Sequence, residues 1–243
     1  LIKLIYLYVQ AVAARIKRHF RKNNLSWFCS DYHFGHAAII GYCDRPFRNV
    51  KSMDRFLLFQ WNCYIGPKDT VYFLGDFALN RQALSTIGPK LNGRKFLVSG
   101  NHDKTFLKKE SKNKNAAGDI NKAVAAGWTV TQKIELGAVR DGEELRIIMT
   151  HLPPKHIELT AYDQRFLNER IDHDPKALHL HGHLHGKYTK KGNAIDVGWD
   201  SFRRPVTLKE IMNVFQDERQ YIASPIEAFN NWRRENEKDK NAS

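Results

Sequence analysis

Phe96-Leu97-Val98-Ser99 runs directly into Gly100-Asn101-His102-Asp103. The first half reads as a short buried strand. The second half is a glycine followed by three side chains able to bind a metal or move a proton. A strand that ends this way presents chemistry at the edge of a sheet. Four more clusters share the pattern: Asp31-Tyr32-His33, Gly75-Asp76, Thr150-His151 and Gly182-His183-Leu184-His185. Each lies at the end of an apolar run or in a glycine-rich turn. Together they point to one metal centre assembled from several loops.

Working outward, 25–29 and 70–74 read as core strands and 95–99 as a third. Helical spacing predicts helices near 37–41, over 52–65 with Ser52 as cap, and over 81–91. Gly66-Pro67 and Asn92-Gly93 supply the breaks between them. Segment 104–126 is polar and lysine-rich, and is the best candidate for a mobile rim element. The stretches 128–136 and 145–149 read as strands, with Asp141-Gly142 in the hairpin turn between them. A surface helix is expected over 160–170, short strands over 178–180 and 194–199, and a helix over 207–215. The end, 233–243, is charged and expected to fray. Strands and helices alternate early and hairpin-like strands gather late, which predicts a mixed α/β layered fold.

The 243 residues suffice for one sizeable domain, and nothing in the middle reads as a linker. The organisation expected is a basic amphipathic helix over 1–24, a main domain over 25–222 and a charged tail over 223–243. The formal charge of +13 favours an anionic partner, either a nucleotide, a nucleic acid or another phosphorylated substrate. About half of that excess lies in residues 1–24, where Lys3, Arg15, Lys17, Arg18, Arg21 and Lys22 face no acid. Apolar residues there follow helical spacing in a run too short to span a bilayer. The charges follow the apolar part, which is the reverse of a signal peptide. A helix packed on the domain is the favoured reading, with contact to a membrane or nucleic acid as the alternative. The three cysteines, Cys29, Cys43 and Cys63, match no zinc spacing and suggest a reducing, cytoplasmic setting. Cys29 reads as a small hydrophobe within a strand.

Asp31, His33, Asp76, Asn101, His151, His183 and His185 offer carboxylate, amide and imidazole donors. That mixture suits Mn²⁺, Fe²⁺ or Zn²⁺ and not calcium. Seven ligands exceed the needs of one tetrahedral ion and suit two ions sharing a carboxylate. Such a pair, about 4 Å apart, can clamp a phosphoryl group and lower the pKa of a bridging water.

The set Asp31-x-His33, Gly75-Asp76, Gly100-Asn101-His102-Asp103, His151 and Gly182-His183-x-His185 resembles the calcineurin-like metallophosphoesterase superfamily. The likeness covers most of the chain, from about Leu25 to Phe215. Ser30-Asp31-Tyr32-His33-Phe34-Gly35-His36 and Asn193-Ala194-Ile195-Asp196-Val197-Gly198 resemble its compact bacterial and phage branch. The resemblance implies a four-layer αββα sandwich of two mixed sheets flanked by helices, with the site at the carboxyl ends of strands. It implies that Asp31, His33 and His185 hold one ion, that Asn101, His151 and His183 hold a second, and that Asp76 bridges. Mn²⁺ is the expected activator in vitro. A hydroxide between the ions would attack phosphorus, and His102 would protonate the leaving oxygen. Asp103 would orient His102 or a ligand. One departure from the family pattern is Leu79, where many members carry an Asp, with Arg81 displaced by one. That counts against a phosphoprotein phosphatase and leaves His36, Arg45, Arg203 and Arg204 as candidates for holding substrate.

The activity expected is therefore phosphodiester hydrolysis on a nucleotide or nucleic acid. The alternatives are a phosphomonoesterase or nucleotidase, a scaffold of this fold that catalyses nothing, and a nucleic-acid-binding protein with structural metals. A scaffold would have lost ligands, and every ligand position here is filled.

Overall fold

Successive side chains of a strand face opposite ways, and the first three strands use both faces. The computed structural model describes residues 2–79, 81–103, 127–140, 142–158, 160 and 163–223. In chain order its elements begin with α1 (Ile2–His19), β1 (Ser26–Cys29), α2 (Ile39–Tyr42), α3 (Val50–Tyr64) and β2 (Thr70–Phe73). Then come α4 (Arg81–Thr86), β3 (Arg94–Val98), β4 (Trp128–Thr131), β5 (Ile134–Arg140), β6 (Glu143–Met149) and β7 (Ala177–His181). The last are β8 (Lys190–Lys191), β9 (Ala194–Asp196), α5 (Trp199–Phe202), β10 (Val206–Thr207), α6 (Leu208–Gln216) and β11 (Tyr221–Ile222). Short 3₁₀ helices cover Gly88–Lys90 and Asp163–Glu169.

Two mixed sheets result. One has five strands in the order β10-β1-β2-β3-β4, and the other six in the order β11-β8-β9-β7-β6-β5. In the first, β1 to β4 are parallel and β10 is antiparallel. In the second, β6, β7 and β9 are parallel, with antiparallel pairings at β5, β8 and β11. Trp27, Cys29, Val71, Phe73 and Leu97 face outward into a core shared with α1 and α3. Phe28, Leu74 and Val98 face inward against Ile147, Met149, Leu178, Leu180, Ile195 and Val197 of the other sheet. Ile211 of α6 is fully buried in this inner layer, and α6 spans from β10 of one sheet toward β8 of the other. Burying each such side chain is worth about 1.5–3 kcal/mol, and this inner layer packs the sheets face to face. On the far face of the second sheet, Ile157, Leu184, Tyr188 and Ala194 form a smaller cluster.

Helix α3 starts at Asn49, whose side chain accepts from the Ser52 amide while Ser52 Oγ accepts from the Asn49 amide. The cap is thus Asn49, and Ser52 is its reciprocal partner three residues on. Helix α6 repeats the device with Thr207 and Glu210. Helix α1 lies on α3 through Leu7 and Ala11, with the Tyr8 ring edge-on to Phe56 at 4.7 Å. Asp69 ties the amino ends of the strands together. Its carboxylate accepts from Arg21 Nη2 (2.6 Å), the Leu25 and Gly66 amides (2.9 and 2.7 Å) and the Trp27 indole (3.0 Å).

Some expectations are corrected. The single strand over 128–136 is two, β4 and β5, in different sheets, because the chain crosses the sandwich at Gln132 and Lys133. The strand over 194–199 ends at Asp196, and Trp199 opens a helical turn whose indole donates to Gln60 at 2.8 Å. The helix over 81–91 divides into α4 and the 3₁₀ turn at Pro89. Within the helix expected over 160–170, Asp163–Glu169 is 3₁₀. The readings for 104–126 and 233–243 lie outside the described residues.

Candidate metal centre

The five polar clusters follow the carboxyl ends of β1, β2, β3, β6 and β7, and they converge. Beyond the sheet the loops stay zipped together. The Asp31 amide donates to Gly75 O (3.0 Å), His33 to Asp76 O (3.1 Å) and Phe34 to Phe77 O (2.9 Å). The second sheet joins through the Gly182 amide on His151 O (3.0 Å) and the His183 amide on Asp31 Oδ2 (3.0 Å). The motif glycines leave room for this. A Cβ at Gly100 would stand 2.2 Å from Asp76 Oδ1, and one at Gly182 would stand 2.3 Å from Asp31 Oδ2.

Asp76 sits between two groups of donors. Its Oδ2 lies 3.6 Å from His33 Nε2, 3.4 Å from His151 Nε2 and 3.8 Å from His102 Nε2, while Oδ1 accepts the His102 amide at 3.0 Å. On one side, Asp31, His33 and His185 bring one ligand atom each within 4.8 Å of one another. On the other, Asp76, His151 and His183 do the same. Asn101 Oδ1 lies 2.9 Å from His151 Nε2 and 3.0 Å from His183 Nδ1. His151 Nδ1 lies 2.8 Å from the Leu74 carbonyl, which fixes that nitrogen as the N–H and turns Nε2 inward.

Three properties fit these residues to divalent cations. First, Asp31 Oδ1 and His33 Nε2, 3.7 Å apart, are buried without a hydrogen-bond partner, a costly arrangement unless something else binds them. Second, Asp31, His33, Asp76, His183 and His185 all have φ between +48° and +73°. Such left-handed backbone costs about 1–3 kcal/mol per residue and gathers at functional sites. Third, negative charge is crowded. Burial and the nearby Asp76 push Asp103 up to about 7, and burial and Asp31 push Asp196 up to about 7. Burial alone would raise Asp31 and Asp76 too. The neighbouring His33, His185 and His151 bring Asp31 down to about 2, and His151, His33 and His102 hold Asp76 below the usual carboxylate range. The same Asp76 charge outweighs burial at His151 and lifts it to about 9, whereas burial holds His33 and His183 near 4.

Other predicted residues are placed as follows. His102 lies at the rim with its side chain 34 % exposed, its ring centroid 5.2 Å from that of His33. His36, half-buried, is 6.0 Å from His102 between ring centroids. The Asp103 carboxylate accepts from the backbone amides of Asp76 (2.7 Å), Phe77 (3.1 Å) and Gly100 (2.9 Å). It ties the loops that carry Asp76 and Asn101 to each other.

The three arginines expected to hold substrate have protein partners. Arg45 is buried, and its guanidinium is committed to Asp200 and to the Tyr32 and Asp31 carbonyls at 2.6–3.0 Å. Arg203 lies over the Trp199 ring and bonds to Asp200 (3.3 Å) and the Cys43 carbonyl (3.4 Å). Arg204 pairs with Glu210 at 2.7 Å beside Tyr64, near the amino end of β1 and away from the centre. Sequence reasoning missed Asp200 and Asp163. Asp200 Oδ2 lies 3.1 Å from His185 Nδ1, and Asp163 Oδ1 lies 3.3 Å from His183 Nε2. Neither sits in a ligand-spaced motif, so no local signal marks them. Cys29, Cys43 and Cys63 are free and buried.

No protein-family model matches the chain. An uncharacterized protein of Methanocaldococcus jannaschii is 44% identical over 81 residues, 32% of this chain and 46% of that protein. The chain therefore spans about half the length of that relative. The Gene 66 protein of Mycobacterium phage D29 is 28% identical over 204 residues, 79% of this chain and 96% of the phage protein. Among solved structures, a protein of unknown function from Aquifex aeolicus shares the fold, with a TM-score of 0.51 and 23% identity over 79% of this chain and 100% of that one. A phosphopantetheinyl hydrolase from Mycobacterium tuberculosis reaches a TM-score of only 0.37 at 12% identity, over 83% of this chain and 96% of that one, too slight a likeness to argue from.

Proposed function

We propose that this chain is a dinuclear metal-dependent phosphoesterase of the calcineurin-like kind that hydrolyses a phosphodiester in a nucleotide or nucleic acid. The observation that carries this reading is the Asp76 carboxylate, which faces His33 at 3.6 Å and His151 at 3.4 Å, between two groups of buried donors. Asp31, His33 and His185 would hold one ion, Asn101, His151 and His183 the other, with Asp76 facing both. Ions bound there supply Lewis-acid polarisation of the phosphoryl oxygens and a water of lowered pKa. The chain's own part is to hold the donors in place and to handle the proton. Asp103 fixes the loop of Asp76, and Asp200 fixes the ring of His185. His102, partly exposed at the rim, holds a proton at Nε2 for the departing oxygen. His36 stands beside it, facing the same mouth.

Substrate class rests on charge. A net charge of +13 draws polyanions. Arg45 and Arg203 are both spent on Asp200, which disfavours a doubly charged monoester more than a singly charged diester. Hydrolysis of bis-p-nitrophenyl phosphate beside p-nitrophenyl phosphate, with Mn²⁺ and with chelator, tests the reading. The expected result is diester cleavage that chelator and Asp76→Ala both abolish. A preference for the monoester would replace the diester assignment, and inactivity on both by Mn²⁺-loaded protein would refute the phosphoesterase reading.

A further inference from the structure

Helix α1 carries two apolar stripes on opposite sides. Leu4, Leu7, Ala11 and Ala14 face α3 and the core. Ile2, Ile5, Val9, Val12 and Ile16, spaced alternately by three and four residues, lie about half a turn of the helix away. They are 84, 53, 62, 46 and 56 % exposed, and Phe20 beyond them is 77 % exposed. A helix apolar on both faces is built to be covered on both. A continuous exposed stripe of this kind marks an interaction surface.

Charge selects what covers it. Arg15 and Lys17 flank the stripe, Lys22 follows the end of the helix, and residues 1–24 contain no acid. Val12 and Ile16 border an open cleft of about 730 Å³ whose other lining residues include Arg15, His19, Lys22 and Lys68. A second copy of α1 would offer these cations no acid to pair with. A layer of lipid phosphates over acyl chains complements both the cations and the stripe. No helix among the described residues is long and apolar enough to cross a membrane, so the helix would lie along the surface.

We propose that α1 docks this protein on an anionic membrane surface, with Ile2, Ile5, Val9, Val12 and Ile16 in the acyl boundary and the flanking basic residues on lipid phosphates. Lys3 Nζ at the start of α1 is 3.2 Å from Asp44, and nearby Tyr42, 80 % exposed, lies 6.4 Å from His36 between ring centroids. The docking itself does not depend on the hydrolytic reading.

Cosedimentation of the full chain with vesicles tests it, comparing pure phosphatidylcholine with vesicles containing about 30% phosphatidylglycerol. The wild type is expected to sediment with the anionic vesicles and to be released by salt. The double variant Val9→Glu, Val12→Glu is expected to bind them about tenfold more weakly at an unchanged melting temperature, because both positions point away from the core. Wild type that stays in the supernatant, or a variant that sediments equally, would overturn the proposal. So would a wild-type dimer in sedimentation velocity that the double variant dissociates, since that result assigns the stripe to a second copy.

Discussion

Asp200 Oδ2 lies 3.1 Å from His185 Nδ1, and the same carboxylate takes both the Nε and Nη2 donors of buried Arg45, at 3.0 and 2.7 Å. The carboxylate thereby turns His185 Nε2 toward Asp31, 4.0 Å away. Asp200→Asn keeps the packing but loses the charge that fixes the ring. Its Mn²⁺ affinity is expected to fall about 10–100-fold. Asp200→Ala strands the Arg45 charge in the interior and is expected to cost about 3–5 kcal/mol of stability. Calorimetric Mn²⁺ titration and urea unfolding of the two variants measure the two effects separately. An Asp200→Ala protein of wild-type stability would show that Arg45 does not depend on this partner.

The glycine of Gly100-Asn101-His102-Asp103 is there for space. With Asp76 Oδ1 only 2.2 Å from its would-be Cβ, Gly100→Ala must displace the central carboxylate. Mn²⁺ affinity is expected to drop by tenfold or about that, since the ligand itself moves. Gly137→Ala in β5, where nothing lies within 4 Å of the added carbon, serves as control and is expected to bind as wild type. Equal affinity in the two variants would contradict the close-approach account.

The pattern of apolar runs ending in Asp, Asn and His was readable because strand period and donor chemistry are both local. Arg45 and Asp200 were not readable for the opposite reason. They lie 155 positions apart, and only the fold shows that each neutralises the other. The run 128–136 is likewise continuous in hydrophobicity, and nothing local says that Trp128–Thr131 pairs with β3 while Ile134–Arg140 pairs with β6. Ser52 looked like a cap because Ser-x-x patterns favour helix starts, but Asn49 holds that place with Ser52 as partner.

His102 is placed to serve the leaving group. His102→Ala is expected to slow alkyl phosphodiesters by about 10²–10⁴-fold and p-nitrophenyl diesters far less, because p-nitrophenolate departs without a proton. Steady-state rates over a series of leaving groups, with metal content checked, measure this. Equal slowing across the series would remove the acid role.

At the other end of the sandwich, burial alone would raise the Asp69 carboxyl, but the Arg21 guanidinium and the amides of Leu25 and Gly66 outweigh it and hold it below the usual range. A depressed carboxyl stabilises the fold above its unfolded value, about pH 4, and that stability is lost as pH falls through the folded one. Asp69→Asn is therefore expected to be less stable by about 1–3 kcal/mol at pH 7. The gap should narrow as pH drops below about 4. Urea unfolding of both proteins across this range is the measurement, and a gap independent of pH would exclude the ionised carboxylate as its source.

The most direct test of a centre built around Asp76 is Mn²⁺ stoichiometry with electron paramagnetic resonance of the bound ions. Two Mn²⁺ per wild-type chain with an exchange-coupled spectrum are expected, and loss of the coupled pair in a folded Asp76→Ala protein. A folded wild type that binds no Mn²⁺, or one that binds only magnetically isolated ions, would contradict it.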